Sequence, residues 1–243
     1  MSTPNINLAA AIGRQAVVAC VSGGLDSCVL LATLADNFAT VYPVFVRNGY
    51  RWEDAELQAL QQFIQALALP NLQPVQEITL PITQILSAYW GAEGYNPGFD
   101  DGYRANFIPG RNVIILSNVL LYAYTRQAPN IAMGLLDGSP YPDAQPEFFQ
   151  AFTSMAEQGM QFKPAILTPF LQLKKEDVIK LGQALPLQLS LSCVNPQDGK
   201  HCGAYCNKCA ERQKGFALAG IDDPTEYAHT PPVVDWKNHQ WRD

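Results

Sequence analysis

Four cysteines, Cys193, Cys202, Cys206 and Cys209, fall within seventeen consecutive residues, and two more, Cys20 and Cys28, lie in an apolar stretch near the start. The Cys-x8-Cys-x3-Cys-x2-Cys spacing lets four thiolates surround one tetrahedral Zn2+. An all-cysteine set leaves no coordination position open, so the expected role is structural. His201, next to Cys202, is the substitute ligand if one thiolate is not bound. Cys206 and Cys209 alone would also suit a redox or persulfide-carrying pair, but four cysteines closing together favour the metal. Lys208, between the last two cysteines, and Arg212 and Lys214, on a helix expected through Ala210–Phe216, would offset the surplus negative charge of the thiolates. Cys20 and Cys28 read as small buried apolar residues. The start, Met-Ser-Thr-Pro-Asn, lacks the basic and apolar regions of a signal peptide, so a cytoplasmic location is expected. Thiols stay reduced there, which argues against a disulfide framework.

Ser22-Gly23-Gly24-Leu25-Asp26-Ser27 is the second chemical feature. Two glycines let the main chain turn sharply and approach an anion, and a following helix N-terminus supplies oriented N–H donors. The hydroxyls of Ser22 and Ser27 add to these. Asp26 cannot attract phosphate itself and is expected to hold Mg2+ or to cap the helix. Neither G-x-x-x-x-G-K-[ST] nor G-x-G-x-x-G occurs in the chain. A plain strand-to-helix turn would need the glycines but not the flanking serines and aspartate. Two cations are expected near the phosphates. Arg111 follows a Pro109-Gly110 turn directly before an apolar helix, and Lys175 opens Lys175-Glu176-Asp177, where it reads equally well as a solvated first-turn lysine.

These residues need elements to hold them. Ala16–Val21 is a short, β-branched apolar run suited to a strand buried on both faces, and Ser27–Ala35 has helical composition. Val41–Val46 reads as a strand, and Leu57, Leu60, Ile64 and Leu67 mark one face of a helix over Glu53–Leu69. A strand over Leu72–Leu80, a helix over Asn112–Arg126 and a strand over Asn130–Leu135 continue the alternation. Such alternation predicts an α/β fold, a mostly parallel sheet with helices on both faces, whose ligands bind beyond the carboxyl ends of the strands. The Gly-, Asp- and aromatic-rich stretch Tyr89–Tyr103 is expected to be a long loop, either covering a site or merely crossing the surface.

Composition bounds the rest. The 243 residues are 48% hydrophobic and 16% charged, enough for one core with at most a small appendage. A net charge of −6 without a Lys/Arg-rich run offers no footprint for nucleic acid, so a small-molecule partner is expected. No apolar run approaches the length of a membrane span.

The hexapeptide Ser22–Ser27 resembles the signature of the PP-loop ATP pyrophosphatases, whose fold is adenine nucleotide alpha hydrolase-like. Taken in order with Ile108-Pro109-Gly110-Arg111-Asn112, Ser139-Pro140-Tyr141-Pro142-Asp143, the cysteine cluster and Asp223-Pro224-Thr225-Glu226-Tyr227, it resembles the 7-cyano-7-deazaguanine synthase family over nearly the whole chain. The resemblance implies a PP-loop domain over residues 1–185 and a zinc-knuckle helical region over 186–243. It further implies ATP cleaved to AMP and pyrophosphate, with Asp26, Arg111 and Lys175 serving the chemistry. The implied substrates are 7-carboxy-7-deazaguanine and ammonia, the product is the nitrile, and the implied setting is queuosine biosynthesis by a homodimer. No glutaminase-like cysteine stands at the N-terminus, so free ammonia or a separate donor protein is implied.

A guanine-like acceptor offers N–H donors to a carboxylate and a ring face to aromatics, which makes Asp143, Tyr141 and Phe148 its expected contacts. Each also fits a turn or core role. Three departures stand out: Ala144-Gln145 where the family usually has Cys-Arg, Val46–Trp52 in place of an Asp-Tyr-Gly-Gln stretch, and one extra residue between Cys202 and Cys206. Without an arginine fork at 145, another carboxylate or amide acceptor is an alternative. Adenylation of a tRNA base and a non-catalytic zinc-knuckle module are others, the former disfavoured by the acidic charge.

Overall fold

The computed structural model describes residues 6–86 and 96–242. Five strands, β1 (Ala16–Cys20), β2 (Thr40–Arg47), β3 (Gln76–Thr79), β4 (Asn130–Met133) and β5 (Ala165–Leu167), form one parallel sheet in the order β3-β2-β1-β4-β5. The helices are α1 (Leu25–Ala35), α2 (Glu53–Leu67), α3 (Arg111–Thr125), α4 (Pro146–Met160), α5 (Lys175–Leu181) and α6 (Asn207–Ala219). Side chains alternate across a strand. Val17 and Ala19 therefore enter one core with Leu30, Leu60, Ile179 and Phe216, while Val18 enters the opposite one with Leu116, Val119, Phe149 and Phe152. Helices cover both faces, which is why β1 is an unbroken apolar run.

The connections leave β1 toward β2 on one side and return to β4 on the other, so strand order reverses at β1 and opens a crevice at its carboxyl end. The Ser22–Ser27 loop lies there. Gly23 has φ +82°, and a Cβ on it would stand 2.3 Å from the Glu56 carbonyl oxygen, so α2 and the loop meet only because this residue is glycine.

A third apolar cluster joins Trp52, Ala59, Ile82 and Ile108 to Leu191, Val194 and the four late cysteines. It seats the cysteine region against the start of α2 and the turn before α3.

Several expected bounds shift. α2 stops at Leu67 because Ala68 takes a left-handed conformation, φ 48°. The strand expected over Leu72–Leu80 contracts to Gln76–Thr79, with Leu72 keeping an isolated bridge to Val41. α4 and β5 were not anticipated: β5 has three residues, too few for a periodicity. Of the stretch Tyr89–Tyr103, residues 89–95 lie outside the described residues.

Candidate active site and cysteine knuckle

The loop is organised by its own hydroxyls. The Ser22 N–H donates to Ser27 Oγ at 3.2 Å, the two Oγ atoms are 3.3 Å apart, and the Gly24 N–H donates to Ser22 Oγ at 3.4 Å. Ser22, Gly24, Leu25, Asp26 and Ser27 line a cavity of about 280 Å³ with Phe45, Val46, Asn48, Tyr50 and Trp52 from the end of β2 and beyond. The Leu25 side chain is buried in the core, so only its main chain serves the cavity. Gly23 faces the other way, and its carbonyl accepts a hydrogen bond from the Leu191 N–H at 2.9 Å. The divergent stretch 46–52 is held by Glu53, whose carboxylate accepts from the N–H groups of Asn48 (2.6 Å) and Gly49 (3.0 Å), and it stacks Tyr50 on Trp52 at 4.9 Å.

Asp26 does not cap α1: Gly24 is the N-cap, and no side chain caps it. Its carboxylate turns instead to Lys175, with Oδ2 accepting from Nζ at 2.6 Å. Lys175 also pairs with Glu211 at 2.9 Å, and Lys208 closes the chain on the other oxygen of Glu211. At 12% side-chain exposure Lys175 is no solvated first-turn lysine. Burial would lower its pKa, but the two carboxylates outweigh burial and raise it. For Glu211, burial pushes the carboxyl up and the two ammonium groups more than reverse that, to about 2. Asp26 Oδ1 is buried without a hydrogen-bond partner, an orphaned acceptor that suits a cation.

A larger cavity of about 520 Å³ adjoins the first across Asp26, Arg111 and Lys175, which line both. Arg111 opens α3 directly after Gly110, whose φ of +70° makes the turn. Tyr141 lines both cavities and stacks on Phe107 at 5.8 Å, and burial pushes its phenol up to about 12, so it stays protonated at neutral pH. Asp143 lines the larger cavity, where it accepts from the Asn112 N–H at 2.9 Å and so caps α3 from outside the helix. Phe148 is not brought to them. It lines neither cavity and packs with Phe149 and Phe152 in the α3–α4 core. Gln145, at a divergent position, donates through Nε2 to the carbonyls of Ser139 and Tyr141 and stitches that turn.

Glu211, Asn106, Trp52 and Trp241 also line these cavities and escaped the sequence reading. Glu211 carries one signal, its i,i+3 spacing from Lys208, which any surface helix could show.

The four cysteines are fully buried, with their sulfurs all within 4.8 Å of one another. Cys193–Cys206 is 3.8 Å, and Cys202–Cys206 and Cys202–Cys209 are both 3.6 Å. Tetrahedral Zn–S bonds of about 2.3 Å require sulfur separations of about 3.8 Å, so the donor set fits that ion. The N–H groups of Asn195 and Cys202 donate to Cys193 Sγ, as thiolate ligation favours. His201 is outside the cluster: its Nε2 accepts from the Ser192 N–H, and burial, with Arg212 nearby, holds its pKa well below the usual imidazole range. The hydrogen bonds of the three basic residues expected to serve the thiolates go elsewhere. Lys208 bonds Glu211, Arg212 bonds Ser190 and the Leu187 carbonyl, and Lys214 bonds the His239 carbonyl. Burial pushes the Cys20 thiol up to about 12 and raises Cys28 too, in keeping with inert buried residues.

A doubly wound parallel sheet with a serine-flanked Gly-Gly loop at the switch point and a four-thiol knuckle beside it marks an α/β nucleotide-binding enzyme. The family model of the queuosine biosynthesis protein QueC matches residues 15–220, and the chain belongs to that family. It is 34% identical over 231 residues to the 7-cyano-7-deazaguanine synthase of Desulfatibacillum aliphaticivorans, covering 89% of this chain and 98% of that one. With the enzyme of the same name from Azoarcus sp. (strain BH72) the identity is 35% over 226 residues, covering 86% and 96%. Among solved structures, the U34-tRNA thiolase NcsA from Methanococcus maripaludis aligns with a TM-score of 0.48 at 13% identity, over 87% of this chain and 74% of that one, a likeness too loose to carry an argument.

Proposed function

We propose that this chain makes 7-cyano-7-deazaguanine from 7-carboxy-7-deazaguanine, ammonia and two molecules of ATP. The carboxylate attacks the α-phosphorus of ATP and releases pyrophosphate. Ammonia displaces AMP to give the amide, with loss of a proton. The amide oxygen attacks a second ATP, pyrophosphate leaves again, and departure of AMP and a proton leaves the nitrile. The observation that carries this reading is the pair of adjoining cavities that share Asp26, Arg111 and Lys175, so that a nucleotide and an acceptor can meet at one wall.

The N–H groups and hydroxyls of Ser22–Ser27 hold the pyrophosphate, and Arg111 reduces the repulsion an oxyanion meets on approach. Lys175, fixed by Asp26 and Glu211, presents its ammonium at the junction. Mg2+ fits the free Oδ1 of Asp26, where it would balance phosphate charge. Tyr141 offers the acceptor a ring face, and Asp143 accepts from its guanine-like edge. Cys193, Cys202, Cys206 and Cys209 would hold Zn2+, which would brace the loop from behind through the Leu191 N–H and the Gly23 carbonyl. Residues 1–185 form the catalytic body and 186–243 the knuckle region, with Phe216 set into the core beside α1 and α5. A reduced cytoplasmic setting suits the four thiols.

Incubation with 7-carboxy-7-deazaguanine, ATP, Mg2+ and ammonia, followed by mass analysis, tests this. AMP, pyrophosphate and the cyano product are expected. AMP with the amide alone would restrict the chain to the first half-reaction, and no AMP would overturn the proposal.

A further inference from the structure

The larger cavity has a wall that the family match does not reach. Trp241 lines it, yet lies beyond residues 15–220. The tail bearing this residue is fastened to the segment before α3. The Gly102 N–H donates to the Arg242 carbonyl at 2.8 Å and the Arg242 N–H to the Asp100 carbonyl at 2.7 Å, forming a short parallel bridge. The Asp100 carboxylate meets Arg242 at 2.8 Å and His239 at 3.2 Å. Gly102 leaves room for this approach, since a Cβ there would stand 3.0 Å from the Arg242 carbonyl oxygen and 3.5 Å from Trp241 Cβ.

The indole is held on its own account too. Lys214 Nζ lies 5.1 Å from the ring centroid, and the His239 ring meets it edge-on at 4.8 Å. Phe107 and Tyr141, stacked on each other, line the same cavity, so three chain-distant segments bring aromatic rings to one space. The strand-end cavity has its own aromatics, Tyr50 and Trp52, and does not include Trp241. An anchored aromatic wall in one compartment recognises a flat heterocycle by its π-face, at little entropic cost because the ring is already fixed.

We propose that Trp241 is a specificity-determining residue for the acceptor, stacking its flat ring, and that Asp100 is the positioning residue that holds it there. This rests on the nitrile-synthase reading. The test is steady-state kinetics with each substrate varied in turn, together with calorimetric binding of 7-carboxy-7-deazaguanine in the absence of ATP. The parent enzyme is compared with Trp241→Ala, Trp241→Phe and Asp100→Ala. Losing a stacking partner predicts a roughly tenfold rise in acceptor KM and Kd for Trp241→Ala, with the KM for ATP within about twofold. Trp241→Phe should recover most of that loss, and Asp100→Ala should give a smaller, acceptor-only rise. Acceptor affinity unchanged in Trp241→Ala would overturn the inference while leaving the nitrile-synthase reading intact. A KM for ATP that rises in step with that of the acceptor would also overturn it, because the tail would then support the whole fold. A parent enzyme that binds no acceptor would remove the nitrile-synthase reading and this inference together.

Discussion

The two cavities that meet at Asp26 are walled in different ways. The strand-end cavity takes one wall from five residues of the Ser22–Ser27 loop, whose shape depends on main-chain turning and on two hydroxyls within hydrogen-bond distance of each other. The larger cavity is assembled from side chains as far apart as Asp26, Tyr141, Glu211 and Trp241. A main-chain wall tolerates little change, because Gly23 already sits against the Glu56 carbonyl. A side-chain wall can be altered one residue at a time. Of the departures, Gln145 stitches the Ser139–Tyr141 turn beside the larger cavity, whereas the changed stretch 46–52 borders the other one. The two walls therefore differ in how they can change, the loop through main-chain geometry and the larger cavity through single side chains.

The largest expected effect should not respect that division. Cys206→Ser should lower zinc from about one ion per chain and cost several kcal/mol of stability, read by metal analysis and urea melts. Because Leu191 ties the knuckle to Gly23, both substrates should bind less well; an effect confined to the acceptor would break the comparison.

Lys175→Ala comes next. It removes a cation from the shared wall, leaves Asp26 without its ion-pair partner and leaves Glu211 with Lys208 alone, so AMP release in single-turnover assays should slow about 10²- to 10³-fold. A change only in acceptor KM would assign Lys175 to one cavity.

Glu211 sharpens the contrast through pH. Its folded pKa, about 2, lies below the ordinary value of 4.5, so the stability it contributes is present above pH 4.5 and is lost as pH falls toward 2. The difference corresponds to up to about 3 kcal/mol. Glu211→Gln should be less stable than the parent at pH 7, and the gap should close between pH 4.5 and 2 in denaturant titrations; a constant gap would show that the carboxylate charge is not what matters.

The smallest effect is expected for Asp143→Asn. The amide oxygen can still accept from the Asn112 N–H, so stability should change by no more than about 1 kcal/mol. Acceptor KM should rise about tenfold with the KM for ATP unchanged, the loss of one charge-assisted hydrogen bond. Unchanged acceptor affinity would reduce Asp143 to a cap of α3.

Much of the fold was legible because its signals are local. The apolar run of β1, the Gly-Gly turn and the Leu57–Leu60–Ile64 stripe each report a neighbourhood of a few residues. β5 was not legible, since three residues carry no period. Asp26 was assigned a choice between metal and cap because both are local options, whereas its observed partner lies 149 residues away. The aromatic character of Phe148 suits a flat acceptor ring. The helix that starts at Pro146 turns it into the core instead.

By itself, the sequence determined a Gly-Gly loop between a strand and a helix, a cluster of four cysteines whose spacing suits a metal and a parallel α/β sheet, because each is encoded in contiguous spacing or alternation. Only the tertiary structure decided that Lys175 is buried between two carboxylates, that His201 stands apart from the sulfurs, and that Trp241 lines the larger cavity. Those outcomes depend on which distant segments desolvate and neutralise one another, and no local pattern records that.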